Sequence, residues 1–177
     1  MKKSKKLKIA IFEPSRYLPG GGPKNMANIA SYLSEKHDIT VFTQNVLQEG
    51  INFKDCNIKY LYPKNKNLQP FAFRNAKLND DFDLVIYGAF PALLAYENNK
   101  NIPSINISHA PPRAFYDADF FKYKLGILGV IKNLIKIYFF KDIEREMGKR
   151  VDKILVVSEE IKKRVKAENS VRAYFTL

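Results

Sequence analysis

His109, Arg113 and Asp117 are the residues of this chain best spaced for chemistry, in the run His109-Ala110-Pro111-Pro112-Arg113-Ala114-Phe115-Tyr116-Asp117. The run follows Ile105-Asn106-Ile107-Ser108, a short β-branched strand. An open α/β sheet presents its ligands at the carboxyl ends of its parallel strands. His109, one of two histidines in the protein, can hydrogen-bond a substrate hydroxyl or move a proton near neutral pH. Pro111 and Pro112 stiffen the backbone beside it. Arg113 can clamp a phosphate or carboxylate in bidentate fashion, or pair with Asp117 at the surface. His37 ends the first helix at the opposite sheet edge, where a structural role is expected.

A second constellation is Gly20-Gly21-Gly22-Pro23-Lys24, between the first strand and the first helix. Backbone N–H groups there, with the helix dipole, can hold an anion. Two readings fit: a loop that a ligand approaches closely, with Lys24 as a contact, or glycines that only allow a tight turn. A dinucleotide fingerprint needs a third glycine where Asn25 stands, and an acid where Thr43-Gln44 end the second strand. There is no Gly-Lys-Ser/Thr either, so NAD and ATP binding are disfavoured.

The elements that must position these groups alternate along the chain. Strands are predicted at 8–12, 39–43, 58–62, 83–88, 105–108 and 152–157, and residues 171–177 look like a further strand. Helices are predicted at 23–36, with Pro23 at its first position, around 71–78, at 91–98, over 120–148 and at 159–167, the last capped by Ser158. Alternation of this kind predicts an α/β fold, a Rossmann-like parallel sheet flanked by helices. Residues 1–7 read as a basic tail and 8–177 as one domain.

The net charge is +12 over 177 residues, which attracts anionic partners. Residues 120–150 hold eight Lys or Arg against three Asp or Glu. There Ile127, Leu128, Ile131, Leu134, Ile135, Tyr138 and Phe139 form an apolar face opposite Lys132 and Lys136. Such a helix can lie on an anionic membrane, or can cover the sheet with its lysines in water. The lysines are dispersed and no nucleic-acid-binding motif occurs, so nucleic acid is not an expected partner. Two distant histidines and one cysteine offer no metal cluster. The lone Cys56 suits a reducing cytosol, and no apolar run is long enough for a signal peptide or a membrane span.

Three stretches in this order resemble the amino-terminal half of a family-4 glycosyltransferase of the GT-B architecture. Lys8–Phe12, Gly20–Gly22, Ala27–Leu33 and His37–Val41 are similar to its strand, Gly-Gly loop, helix and "H-E-V-T-V" strand. His109–Asp117 resembles the "H-x-P-x-R-x-x-W-D" segment, and Val151–Glu159 the "a-D-x-i-x-v-S" strand. The resemblance implies two Rossmann-like domains facing across a cleft, with the acceptor on this half and the donor on the other. It implies retaining transfer of a hexose from a nucleoside-diphosphate sugar, a co-substrate rather than a cofactor, without an essential metal. His109 would line the catalytic centre, and Gly20, Gly21 and Gly22 would lie near the donor's diphosphate. Lys24, Arg113 and Asp117 are lesser candidates for substrate or phosphate contact. The acceptor would be a glycan or a lipid-linked sugar at the cytoplasmic face of the membrane, with Lys132 and Lys136 toward it. Where the family has Gly-Gly-x-Glu this chain has Gly-Gly-Gly-Pro, so no acceptor role for that glutamate carries over. The donor-binding half is not in this sequence, so transfer is expected to need it, from a separate chain or a longer product. The alternative is a non-catalytic Rossmann-like module that docks on a membrane or partner.

Overall fold

The structure is a computed structural model. It describes residues 5–14, 21–44, 51–62, 68–79, 81–88, 90–108, 138–139, 142–143, 145–163 and 173–175. Seven strands form one sheet: β1 (Lys8–Phe12), β2 (Asp38–Thr43), β3 (Asn57–Tyr60), β4 (Leu84–Tyr87), β5 (Ser104–Ser108), β6 (Lys153–Val156) and β7 (Ala173–Phe175). Their order is β3-β2-β1-β4-β5-β6-β7, and every pair is parallel. The chain steps outward from β1 to β3, returns to the middle, and steps outward the other way. The reversal between β1 and β4 is the topological switch point of a Rossmann-like sheet, and the predicted fold class is the observed one. β7 accounts for the strand-like ending.

Strands buried on both faces need apolar side chains on both parities, and β1 supplies them. Ile9 and Ile11 join Ile39, Val41, Ile86 and Ile107 in an aliphatic layer under α1 (Gly21–Ser34), which contributes Met26, Ala27 and Ala30. Ala10 and Phe12 point to the other face, toward α2 (Gln69–Arg74), the 3-10 turn Ala92–Ala95 and α3 (Tyr96–Asn99). On that face an aromatic layer crosses three neighbouring strands. Phe12 pairs in register with Phe42 and Tyr87 and stacks on both, with centroids 5.0 and 5.6 Å apart. Phe73 of α2 meets Phe12 edge-on at 6.3 Å, and Tyr96 meets Tyr87 at 6.2 Å.

Several boundaries differ from the sequence reading, each for a local reason. Helix α1 begins at Gly21, placing Pro23 third rather than first. The first-turn N–H groups have no intrahelical partner, so a proline there loses nothing. Helix α2 begins and ends earlier than 71–78. Beyond Asn75 the side chain of Asn99 takes over: Leu78 N donates to its Oδ1 at 2.9 Å, and its Nδ2 donates to Ala76 O at 3.1 Å. His37 Nδ1 accepts from Leu7 N at 3.3 Å, the structural role expected of it. Asp83 accepts from Lys8 N at 2.9 Å and pairs with Lys5 at 3.1 Å. These two contacts hold its carboxyl below the usual aspartate range, so this link is present at neutral pH and lost as pH falls through the lowered value.

Of the predicted 120–148 helix, residues 138–139, 142–143 and 145–148 are described, and they are helical. Ile143 and Met147 pack on the core, whereas Tyr138 is 81% and Phe139 60% exposed. These two aromatics therefore do not cover the sheet. Ser158 caps the last helix as expected, its Oγ accepting from Ile161 N at 3.2 Å.

The aromatic layer makes a stability prediction with opposite signs. Phe12→Ala empties a fully buried position between two rings and should cost about 3–5 kcal/mol in urea unfolding. Tyr87 is fully buried, and its hydroxyl has no hydrogen-bond partner among the described residues. Burial raises its pKa well above the phenol range. Tyr87→Phe removes that unsatisfied donor and should be neutral or stabilising by about 1 kcal/mol. A clear loss of stability for Tyr87→Phe would show that the hydroxyl is bonded in solution.

Candidate active site

The site grows from the carboxyl edge of the sheet. Phe12, Tyr87 and Asn106 lie at one level across β1, β4 and β5. Strand β5 runs on for Ile107 and Ser108, rising about 6–7 Å above that level. His109 is the next residue in the chain. Two strand spacings, about 10 Å, separate β5 from β1, whose connection leads to α1. The strand that must carry His109 therefore overtops the middle of the sheet, on the same edge as the start of α1.

Helix α1 runs back from this edge, with His37 and Asp38 at the amino edge beside Leu7 and Lys8. Gly21 opens it, is exposed, and has open space where a side chain would be. No acidic residue stands in the first turn, so none of the helix's own side chains there offsets the partial positive charge of its terminus. Gly22 is half-buried, and Lys24 is exposed in the same turn. These features suit the approach of an anion to backbone N–H groups. Gly20, His109, Arg113, Asp117, Lys132 and Lys136 lie outside the described residues.

One group at this edge escaped the sequence reading. Glu13, directly after β1, is 2% exposed. Thr43 and Gln44, directly after Phe42, are fully buried as well. They form a polar level just above the aromatic layer. Glu13 N donates to Phe42 O at 3.0 Å and Gly88 N to Phe12 O at 2.9 Å, so the ladder continues one step past the strands. The signal in the sequence is an acid directly after a buried strand, set beside Pro14.

Elsewhere a groove of 570 Å³ lies between α2, α3 and the helical residues 142–143 and 145–150, lined by Arg74, Glu97, Asp142, Glu146, Met147 and Arg150. Arg150 closes one side by pairing with Glu97 at 2.8 Å. It precedes β6, so this groove is nearer the amino edge and away from the convergent loops. The neighbouring Tyr96 hydroxyl donates to Arg150 O at 2.8 Å.

A sequence profile described as Glycosyltransferase Family 4 matches residues 19–173. The chain belongs to glycosyltransferase family 4. Two crystal structures of Anabaena Alr3699/HepE, one in complex with UDP and glucose and one with UDP-glucose, share its fold with a TM-score of 0.56 each. Identity is 13% and 14%, and each alignment covers 96% of this chain. The chain spans 43% of the length of those proteins. A search of curated proteins finds no match.

Within this family-4 domain, the structure gives Asp152 of the Val151–Glu159 stretch a structural role. Its Oδ2 accepts from Ser104 N at 2.7 Å and from Ser104 Oγ at 3.0 Å, and its own N donates back to Ser104 Oγ at 3.3 Å. That ties β6 to β5 at the amino edge, in the register that aligns Val156 with Ser108. Asp152→Ala strands a buried N–H and should cost about 1–3 kcal/mol. Asp152→Asn should lose much less, because one amide oxygen can accept both bonds. Equal losses for the two variants in chemical denaturation would refute this account.

Proposed function

We propose that this domain is the acceptor-side half of a retaining glycosyltransferase that moves a hexose from a nucleoside-diphosphate sugar to a glycan or lipid-linked acceptor. The observation that carries the reading is the family match lying over a sheet whose carboxyl edge presents α1 and the end of β5 together. UDP-glucose, bound in one of the similar structures, makes a UDP-hexose the first donor to test. In this reading a second Rossmann-like half, from the same polypeptide or another, holds the nucleotide. The N–H groups of Gly21 and Gly22 then face the diphosphate, with Gly20 and Lys24 beside them. His109 contacts the transferred sugar and steadies the charge that develops as the leaving group departs. Arg113 and Asp117 follow on the acceptor side. No step is assigned to a metal.

The test joins the chain to a donor-binding half and follows transfer from radiolabelled UDP-glucose to a membrane lipid extract. His109→Ala should lower kcat about a hundredfold or more, with folding unchanged by circular dichroism. Transfer at the wild-type rate would remove His109 from the site.

A specific observation also favours contact with an anionic membrane surface. The exposed rings of Tyr138 and Phe139 pack edge-on at 5.6 Å, within the stretch whose eight basic residues outnumber its acids. Among the described residues no helix is long and apolar enough to cross a membrane. Aromatic rings beside basic side chains suit the interface instead. This surface serves the enzyme reading, by holding the domain near a lipid-linked acceptor, and also the non-catalytic docking module. Binding to phosphatidylglycerol vesicles should weaken with salt. Lys132→Glu with Lys136→Glu should weaken it by at least tenfold, at about 1 kcal/mol per basic residue. Absent or salt-insensitive binding in co-sedimentation would rule the surface out.

A further inference from the structure

Strand β5 breaks the apolar pattern of its neighbours. Its sequence, Ser104-Ile105-Asn106-Ile107-Ser108, alternates strictly, and Ile105 and Ile107 take the α1 face with the aliphatic layer. The three polar residues therefore share the opposite face. There Asn106 is level with Tyr87 and Ile154, and Ser108 with Val156, all three of those neighbours belonging to the core of that face. Ser104, at the amino edge, is 2% exposed and bonded to Asp152. Asn106 has no such explanation. It is 9% exposed, and among the described residues its amide has no hydrogen-bond partner. The Tyr87 hydroxyl on the adjacent strand does not answer it, since that group bonds nothing either. Ser108, one step nearer the carboxyl edge, is half-buried, and its hydroxyl is likewise without a partner among the described residues. An amide taken out of water and left unpaired is costly, and a fold keeps one most readily where a ligand completes it.

We infer that Asn106 and Ser108 form a subsite for adjacent hydroxyls of a sugar, entered from the carboxyl edge of the sheet. An asparagine amide holds an acceptor and two donors side by side, and a serine hydroxyl both donates and accepts. A pair of neighbouring sugar hydroxyls needs the same two-way complement. A phosphate or carboxylate offers acceptors alone and would set its charge against the amide oxygen. The β5 end thus selects a neutral polyol, whereas the start of α1 with Lys24 suits an anion. The narrow opening at Asn106 admits a hydroxyl and not a ring, so the ring rests at Ser108 and reaches inward. The inference deepens the glycosyltransferase reading and rests on it for treating that sugar as a substrate, held directly before His109 in the chain.

Binding is read on the full chain labelled with 15N-asparagine, titrated with a set of methyl hexosides and, as the anionic control, with inorganic phosphate. The side-chain amide pair of Asn106, assigned by its absence in Asn106→Val, should shift and saturate with at least one hexoside and stay in place with phosphate. Ser108→Ala should weaken that binding about two- to tenfold, the effect of one lost neutral hydrogen bond, with Tm unchanged. In urea unfolding without sugar, Asn106→Val should be at least as stable as the wild type, because it removes an unpaired amide rather than a bond. A clear loss there would show that the free protein already pairs the amide, and would overturn the inference. So would a response to phosphate alone, no response to any hexoside, or hexoside binding undiminished by Ser108→Ala. These readouts need no donor. Absent sugar transfer by the assembled enzyme would count against the functional reading and leave the subsite standing, whereas transfer with an unresponsive Asn106 would remove the subsite alone.

Discussion

Phe12, held between Phe42 and Tyr87, fixes the carboxyl end of the sheet on which the site depends. The three rings come from adjacent parallel strands at matched register, and stacking at 5.0 and 5.6 Å is possible only at that register. A slip of one residue on any strand would turn its ring to the opposite face, into the aliphatic layer under α1. Offset aromatic pairs contribute about 0.5–1.5 kcal/mol beyond their buried area. Their greater effect here is specification, because they set the level at which β1, β2 and β4 all stop being core.

What lies above that level follows from it. Glu13, Thr43 and Gly88 are each one residue past a ring, so none of them can point into the aromatic layer. They lie on the parity of the α1 face, and there the core changes from aliphatic to polar within one step. Strand β5 escapes this limit because Asn106, not an aromatic, stands opposite Tyr87. It continues to Ser108, paired with Val156 of β6. The strand leading to His109 is therefore supported from its outer neighbour, while the middle of the sheet is already ending. Asp152 and Ser104 secure that support from the far edge, a full strand length away.

Much of this was legible in the sequence because strand and helix periods are local. The apolar run of β1 declares a two-faced buried strand, and Met26, Ile29, Ala30 and Leu33 recur at the spacing of one helix face, all of them in or against the aliphatic layer. The end of α2 was not legible, because the side chains that bond the chain there, Asn98 to Arg74 O and Asn99 to Ala76 O and Leu78 N, come from more than twenty positions away in sequence. Glu13 was missed because a carboxylate after a strand reads as solvated loop, and only the absence of a side chain at Gly88 makes room to bury it. Tyr138 and Phe139 belong to an apolar periodicity that predicts a covered face, yet both are exposed. Hydrophobic spacing identifies which residues share a face and not what that face meets. For His109, Arg113 and Asp117 the sequence gives their order after β5, and the structure adds the height of the strand that precedes them.

A single sheet edge of this kind presents groups to a ligand from one side only. The start of α1 is open to solvent at Gly21, where water screens the helix terminus and competes for its N–H groups. Backbone donors are worth most to a developing charge when they are preorganised in a site from which water is excluded. Within the proposed reading, the facing half thus does more than bring the donor. Closing over the edge lowers the local dielectric around Gly21 and Gly22 and strengthens the same N–H groups without moving them. The burial of Glu13 is consistent with that division of labour. The carboxylate is buried beneath the edge, so it adds no exposed negative charge beside Gly21 and Lys24, which would meet the donor's phosphates in that reading.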